Sequence, residues 1–154
     1  MTGIVSLLLK ICGMPNIVYV TRRERFNAAH KLFNPRWSDE KNKEVFGKCA
    51  NANWHGHNYD LFVTVKGTPG EDTGFCIDLK YLSTLIKDKV TSKLDHSNLN
   101  LDVDFMEGIM ASTENLAIAI WKQLEAPIQA AGCDLHCIKL FETENNYVEY
   151  FGGK

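Results

Sequence analysis

The chain has 154 residues, 45% of them hydrophobic, and a formal net charge of −2. That length suits one domain with a single core, and the composition is that of an ordinary globular protein. The small negative charge excludes the strongly basic surface that binding to nucleic acid or to an anionic membrane would need. Cys12, Cys49, Cys76, Cys133 and Cys137 are odd in number and scattered, so they imply no disulfide framework and point to a reducing cytoplasm.

Residues 4–12, IVSLLLKIC, are apolar but broken by Lys10. They are too short to span a bilayer and lack the basic leader of a signal peptide. Met14 opens MPNIVYVTRRERF, which reads as a natural protein start. Residues 1–13 are therefore expected to be a disordered extension or the product of an upstream start codon, with residues 14–154 as the single domain.

Ile17–His30 is β-rich at both ends, with Val18, Val20, Phe26, Ala28 and His30 on one parity. Its polar middle, TRRER, is expected to bulge or to lie at an edge. Residues 34–50 form a polar excursion with one or two helical turns. Asn58–Lys66 alternates, Tyr59, Leu61, Val63 and Val65 facing one way. TPGEDTG is a turn, and Phe75–Ile77 is expected to return as a short strand.

Asp78 can N-cap a helix, whose apolar stripe is Leu79, Leu82, Leu85, Ile86 and Val90. A second helix starts after Ser112 or Thr113, with Leu116, Ala117, Ile120, Trp121 and Leu124 as its stripe. Pro127 is expected to end or kink it, and Gly132 to stop it. Strands around Cys137–Thr143 and Tyr147–Phe151 follow, joined by the turn ENN. The order β-β-β-α-α-β-β predicts an α+β fold, an antiparallel sheet with both helices on one face. The other face, carrying Phe62, calls for a partner subunit.

His55 and His57 are two residues apart on a strand, so their side chains share a face. His30, at another strand end, can be a third ligand. Three histidines leave one position of a tetrahedral Zn²⁺ open, as catalytic zinc requires. Three ordinary core or surface histidines are the alternative. Cys49 lies in a polar loop before His55. It reads as a buried thiol, as a fourth ligand of a structural zinc, or as a thiolate that Zn²⁺ and Lys48 activate to take a proton. Asp95–His96 can cap a helix end or relay protons. Glu142 continues the parity of Ile138 and Leu140, and a carboxylate there needs a partner. That partner is a protein cation or a ligand with two adjacent N–H donors, such as a pterin edge. Ser112 and Thr113 are N-capping residues or ligand contacts.

Taken in order, FNAAHKLF, FGKC…HGHNY, TGFCIDL, LDHSNLN, STEN and ETENN resemble the 6-pyruvoyltetrahydropterin synthase family over Phe26–Gly152. The resemblance implies that His30, His55 and His57 bind catalytic zinc, that Cys49 is the catalytic cysteine and that Asp95 and His96 are the proton relay. It implies that Glu142 anchors the pterin, with Ser112 and Thr113 in contact and Glu114 beside them. It implies the tunnelling fold (T-fold): four-stranded antiparallel sheets with two helices forming an oligomeric barrel, two trimers stacking into a homohexamer with active sites between subunits. The implied reaction turns 7,8-dihydroneopterin triphosphate into 6-pyruvoyltetrahydropterin. Bacterial relatives make 6-carboxytetrahydropterin for queuosine and usually have three residues between the cysteine and HGH. Here Ala50–Trp54 makes five, which favours the pyruvoyl product. Trp54 departs from the family, which usually has a small residue there. A non-enzymatic module with a structural zinc is the remaining alternative.

Overall fold

The computed structural model describes residues 16–153, and the extension expected over residues 1–13 lies outside them. Two long strands carry the architecture. β1 (Val18–His30) and β2 (His55–Gly67) pair antiparallel throughout, from Val18 opposite Gly67 to His30 opposite His55. Alternation decides the faces: Tyr59, Leu61, Val63 and Val65 are buried, and Asp60, Phe62 and Thr64 turn away.

TRRER pairs with β2 without a bulge. Its charges are satisfied within a regular strand. Arg23 and Arg25 donate to Asp60 Oδ1 at 2.9 and 2.7 Å on the free face, and Glu24 accepts from Ser83 on the helix side. The expected edge position is real, because among the described residues the only other ladder of β1 is at Ala28–Ala29.

The excursion contains α1 (Asp39–Phe46), capped by Ser38, and a 3-10 turn (Gly47–Ala50). Asn42 ties it together from inside. The buried amide accepts from Asn34 N at 2.7 Å and donates to the carbonyls of Asn34 and Ser38, both at 3.0 Å. Asp78 caps α2 (Leu79–Ile86), its carboxylate accepting from Lys80 N at 2.8 Å. The helix passes through one π-helical turn (Lys87–Thr91) into the short α3 (Ser92–Leu94). Leu82, Leu85, Ile86 and Val90 are buried as their spacing predicts, whereas Leu79 is exposed.

β3 (Ser97–Asn98) runs parallel to β1. After a 3-10 turn (Asp104–Met106), α4 (Thr113–Ala130) begins at Ser112, whose Oγ accepts from Asn115 N. Leu116, Ala117, Ile120, Trp121 and Leu124 are all buried. The helix continues past Pro127 to Ala130. The proline has no N–H to donate to the carbonyl of Gln123, so the helix gives up one interior bond and still completes its last residues. β4 (Asp134–Phe141) and β5 (Tyr147–Tyr150) close the chain as a hairpin.

Among the described residues the sheet has five strands in the order β3-β1-β2-β4-β5, not four, and β3 makes it mixed. The expected strand at Phe75–Ile77 is absent. Gly70 N donates to Phe75 O and Gly74 N to Gly70 O, which curls the segment away from any ladder. Ile77 instead enters the core. α2 packs on β1 and α4 on β4 and β5, so Phe26, Leu61 and Ile138 share one core with Leu82, Ile86, Leu116 and Ile120. No helix among the described residues is long and apolar enough to cross a membrane.

Candidate active site

The site forms where the far ends of β1, β2 and β4 meet the N-terminus of α4. Pairing of His30 with His55 and of Ala28 with His57 brings three imidazoles together. One ligand nitrogen from each of His30, His55 and His57 lies within 4.8 Å of the others. Gly56 permits this approach: a Cβ there would stand 2.9 Å from the carbonyl oxygen of Ala28. The glycine of HGH therefore lets the two strands close.

His30 is buried, and its Nδ1 lies 2.7 Å from the carbonyl of Ala111. A carbonyl only accepts, so Nδ1 carries the proton and Nε2 is left as the ligand atom. His30 Nε2 and His55 Nδ1 are both buried without a hydrogen-bond partner. Burial lowers the pKa of all three imidazoles; neighbouring imidazoles push the same way, and Glu142 opposes. Neutral rings with orphaned nitrogens facing one point are what a divalent metal needs. The residues fit such an ion.

Cys49 is not part of this group. Its carbonyl accepts from Leu32 N at 2.9 Å, which fixes the loop beside the end of β1. A cavity of about 260 Å³ is lined by His30, Cys49, Ser112, Thr113, Glu114 and Glu142. Glu142 Oε1 accepts from Thr113 Oγ1 at 2.9 Å and lies 3.6 and 3.7 Å from Nε2 of His30 and His57. No lysine or arginine pairs with it among the described residues. Ser112 is occupied in capping α4, whereas the Thr113 hydroxyl points into the site. Glu114 is exposed in the first turn of the helix.

Asp95 and His96 occupy a second cavity, of about 670 Å³, with Asn27 and Asp60 in its lining and Glu142 as the wall common to both. His96 Nδ1 is 3.0 Å from Asp95 Oδ2. Asn27 organises the pair, a role the sequence did not disclose. Its backbone N–H donates to Asp95 Oδ1 at 2.9 Å, and its carbonyl accepts from His96 N at 2.8 Å. That N–H holds the Asp95 carboxyl below its usual range; desolvation opposes it, and the neighbouring imidazole adds to the lowering. His96 has φ 59, a left-handed conformation uncommon for residues other than glycine, and its side chain is 78% exposed. Within one chain this pair shares no cavity with Cys49.

Tyr59 was also missed. Its hydroxyl is buried and unpaired, and burial, then Glu142, raises its pKa. Alternation shows only that Tyr59 faces inward; nothing in the strand pattern marks the hydroxyl.

Residues 19–153 match the sequence model of 6-pyruvoyl tetrahydropterin synthase. The chain belongs to the 6-pyruvoyl tetrahydropterin synthase family. It is 45% identical over 139 residues to the 6-pyruvoyl tetrahydrobiopterin synthase of Dictyostelium discoideum, covering 90% of this chain and 99% of the relative. The 6-pyruvoyl tetrahydropterin synthase structure from Caenorhabditis elegans superposes with a TM-score of 0.83 at 36% identity, over 89% of this chain and 96% of that one. The 6-carboxy-5,6,7,8-tetrahydropterin synthase of Bacillus subtilis is more distant: 28% identical, covering 70% of this chain and 73% of the relative. The matched residues span the segments that bring His30, His55, His57 and Glu142 together.

Proposed function

We propose that this protein is a zinc-dependent lyase that converts 7,8-dihydroneopterin triphosphate to 6-pyruvoyltetrahydropterin with loss of triphosphate. One observation carries the reading. The ligand His30, the free thiol Cys49 and a carboxylate without a cationic partner, Glu142, line a single cavity. A structural zinc module would need no such carboxylate, and would recruit Cys49 into the histidine group.

Zinc held by His30, His55 and His57 would polarise hydroxyl oxygens of the substrate side chain and acidify the adjacent C–H. Cys49, as thiolate, takes a proton from a side-chain carbon. Glu142 accepts from two adjacent N–H groups of the pterin edge, with Thr113 holding the carboxylate in place. Ser112 and Glu114 border the ring. His96, backed by Asp95, carries protons to and from an oxygen of the side chain. Hydride equivalents move within the molecule, so the reaction needs no external redox cofactor.

Asp95–His96 lines a different cavity from Cys49, which supports its serving the site of a neighbouring subunit. Among the described residues, nothing pairs with the outer edge of β1 before Ala28 or with the free edge of β5. Such edges invite a second copy, which supports a barrel of trimers and a homohexamer. The free thiols of Cys49, Cys76, Cys133 and Cys137 suit a reducing cytoplasm.

The test is incubation of the zinc-loaded protein with 7,8-dihydroneopterin triphosphate, with products identified by mass spectrometry. Triphosphate and a pyruvoyl pterin are expected. Acetaldehyde with a carboxy pterin would assign it to queuosine synthesis instead, and no turnover by the zinc-loaded protein would overturn the reading.

A further inference from the structure

Lys31 follows the ligand His30, and Trp54 precedes the ligand His55. Their side chains meet. Lys31 Nζ stands 4.7 Å from the centre of the Trp54 ring and 4.9 Å from that of Phe33. Asn100 pins the Lys31 backbone on both sides, accepting from its N–H and donating to its carbonyl, each at 3.1 Å. Trp54 takes up this position at φ 65, a left-handed conformation that a bulky residue rarely adopts.

Among the described residues, no carboxylate pairs with Lys31, Arg36 or Lys48. Ring faces attract an ammonium but leave its N–H donors free for a stronger acceptor. Lys31 is thus a cation fixed in place and not neutralised.

It opens onto a cavity of about 480 Å³, lined among others by Phe33, Arg36, Asn100 and Met110 and by no acidic residue. Two of its walls, Lys31 and Met110, are next in the chain to residues that build the metal site. Met110 leads directly to Ala111, the acceptor for His30, and to Ser112, the cap of α4. The next residue along the chain, Leu32, lines the site cavity together with Cys49. Residues 31 and 32 therefore face the two cavities in turn.

We propose that the cavity beside Lys31 is an anion subsite that holds the polyphosphate chain of the substrate, with Lys31 as its fixed cation and Arg36 as its second. The assignment to a substrate tail rests on the pterin triphosphate reading; the anion site itself does not. Phe33 and Trp54 act on the anion only through Lys31, by denying the ammonium other positions. The phosphates end there, while the pterin stays with Glu142 and the reacting carbons stay over the histidines.

The test is titration calorimetry of the zinc-loaded protein with inorganic tripolyphosphate, in the wild type, Lys31→Met and Arg36→Gln. Lys31→Met is expected to weaken binding about tenfold or more, the loss of one charge-assisted contact. Arg36→Gln is expected to weaken it less. Lys31→Arg is expected to restore most of the affinity. Phosphate-free 7,8-dihydroneopterin should bind the wild type and Lys31→Met equally, which shows that the variant is folded and its pterin site intact. Equal tripolyphosphate affinity in the wild type and Lys31→Met, as simple chelation of the metal would give, overturns the proposal. Lys31-dependent binding by a protein that fails to turn over the pterin triphosphate would support the anion site and overturn the enzymatic reading.

Discussion

The Nδ1 of His30 donates to the carbonyl of Ala111 across 2.7 Å, and this bond joins the end of β1 to the entrance of α4. It sets the tautomer of a buried ligand and so aims Nε2 at His55 and His57. A metal ion would be held by nitrogens that are already placed and already neutral. His55→Ala removes one of three such ligands, so zinc affinity is expected to fall by a factor of about ten to a hundred or more. Metal content after dialysis against a graded chelator measures this. Full retention of zinc by that variant would break the assignment of the triad.

Cys49 lies outside the histidine group but lines the same cavity as His30. Cys49→Ala is therefore expected to keep its zinc and to lose turnover by at least about a hundredfold, the scale of a lost general base. Metal analysis and product assay on one preparation separate the two roles. Loss of zinc together with turnover would make Cys49 a ligand.

Glu142 has a hydroxyl partner, Thr113, and two imidazole neighbours, but no cation. Its charge is available to a ligand's N–H groups. Glu142→Gln keeps the shape and removes the charge, so pterin binding should weaken by about 1.5–3 kcal/mol. Titration with 7,8-dihydroneopterin checks it, with zinc content unchanged. Unaltered affinity would remove Glu142 from the anchoring role.

These residues were legible in the sequence to different depths, for physical reasons. The stripe of α4 and the alternation of β2 are period signals, and all their inward positions are buried. The stripe of α2 failed at Leu79, since the first turn of a helix can overhang the sheet it packs on. Phe75–Ile77 is apolar enough for a strand, but the bonds from Gly70 and Gly74 decide its path, and composition carries no record of them. β3 is two polar residues held by a ladder to β1, so no alternation announces it. Asn27 and Asn42 act through backbone bonds that any amide side chain or strand residue could make. His30, His55 and His57 were visible because spacing on strands fixes faces, which is the property metal ligation uses.

Trp54 offers a test of strain. At φ 65 any residue with a Cβ is disfavoured by about 1–2 kcal/mol, and glycine is not. Trp54→Ala keeps the strain and loses the contact with Lys31. Trp54→Gly loses the contact but relieves the strain. The glycine variant is therefore expected to be more stable than the alanine variant by about 1 kcal/mol, the reverse of their usual order in regular structure. Urea denaturation of both proteins measures the difference. An alanine variant of equal or greater stability would show that the turn before β2 relaxes to negative φ without cost.

The last expectation concerns pH. Glu24 faces the helices with 11% of its side chain exposed, and its Oε1 accepts from Ser83 Oγ at 2.6 Å and Arg22 Nε at 2.8 Å. Burial alone would raise its carboxyl pKa. The bonds from Ser83 and Arg22, with the charges of Arg22 and Lys87, outweigh burial and bring it below the usual value. A carboxyl depressed in the folded state takes its proton later than the same group in the unfolded chain. Its stabilising contribution is therefore complete above the unfolded pKa of about 4.3 and is lost as pH falls through the folded value. Glu24→Gln is expected to cost about 1–2 kcal/mol near neutral pH, with the gap to the wild type closing as pH drops below about 4. Denaturant midpoints across that range test it. A gap that stays constant into acid would mean that Glu24 stabilises β1 against α2 by the shape of its side chain and not by its charge.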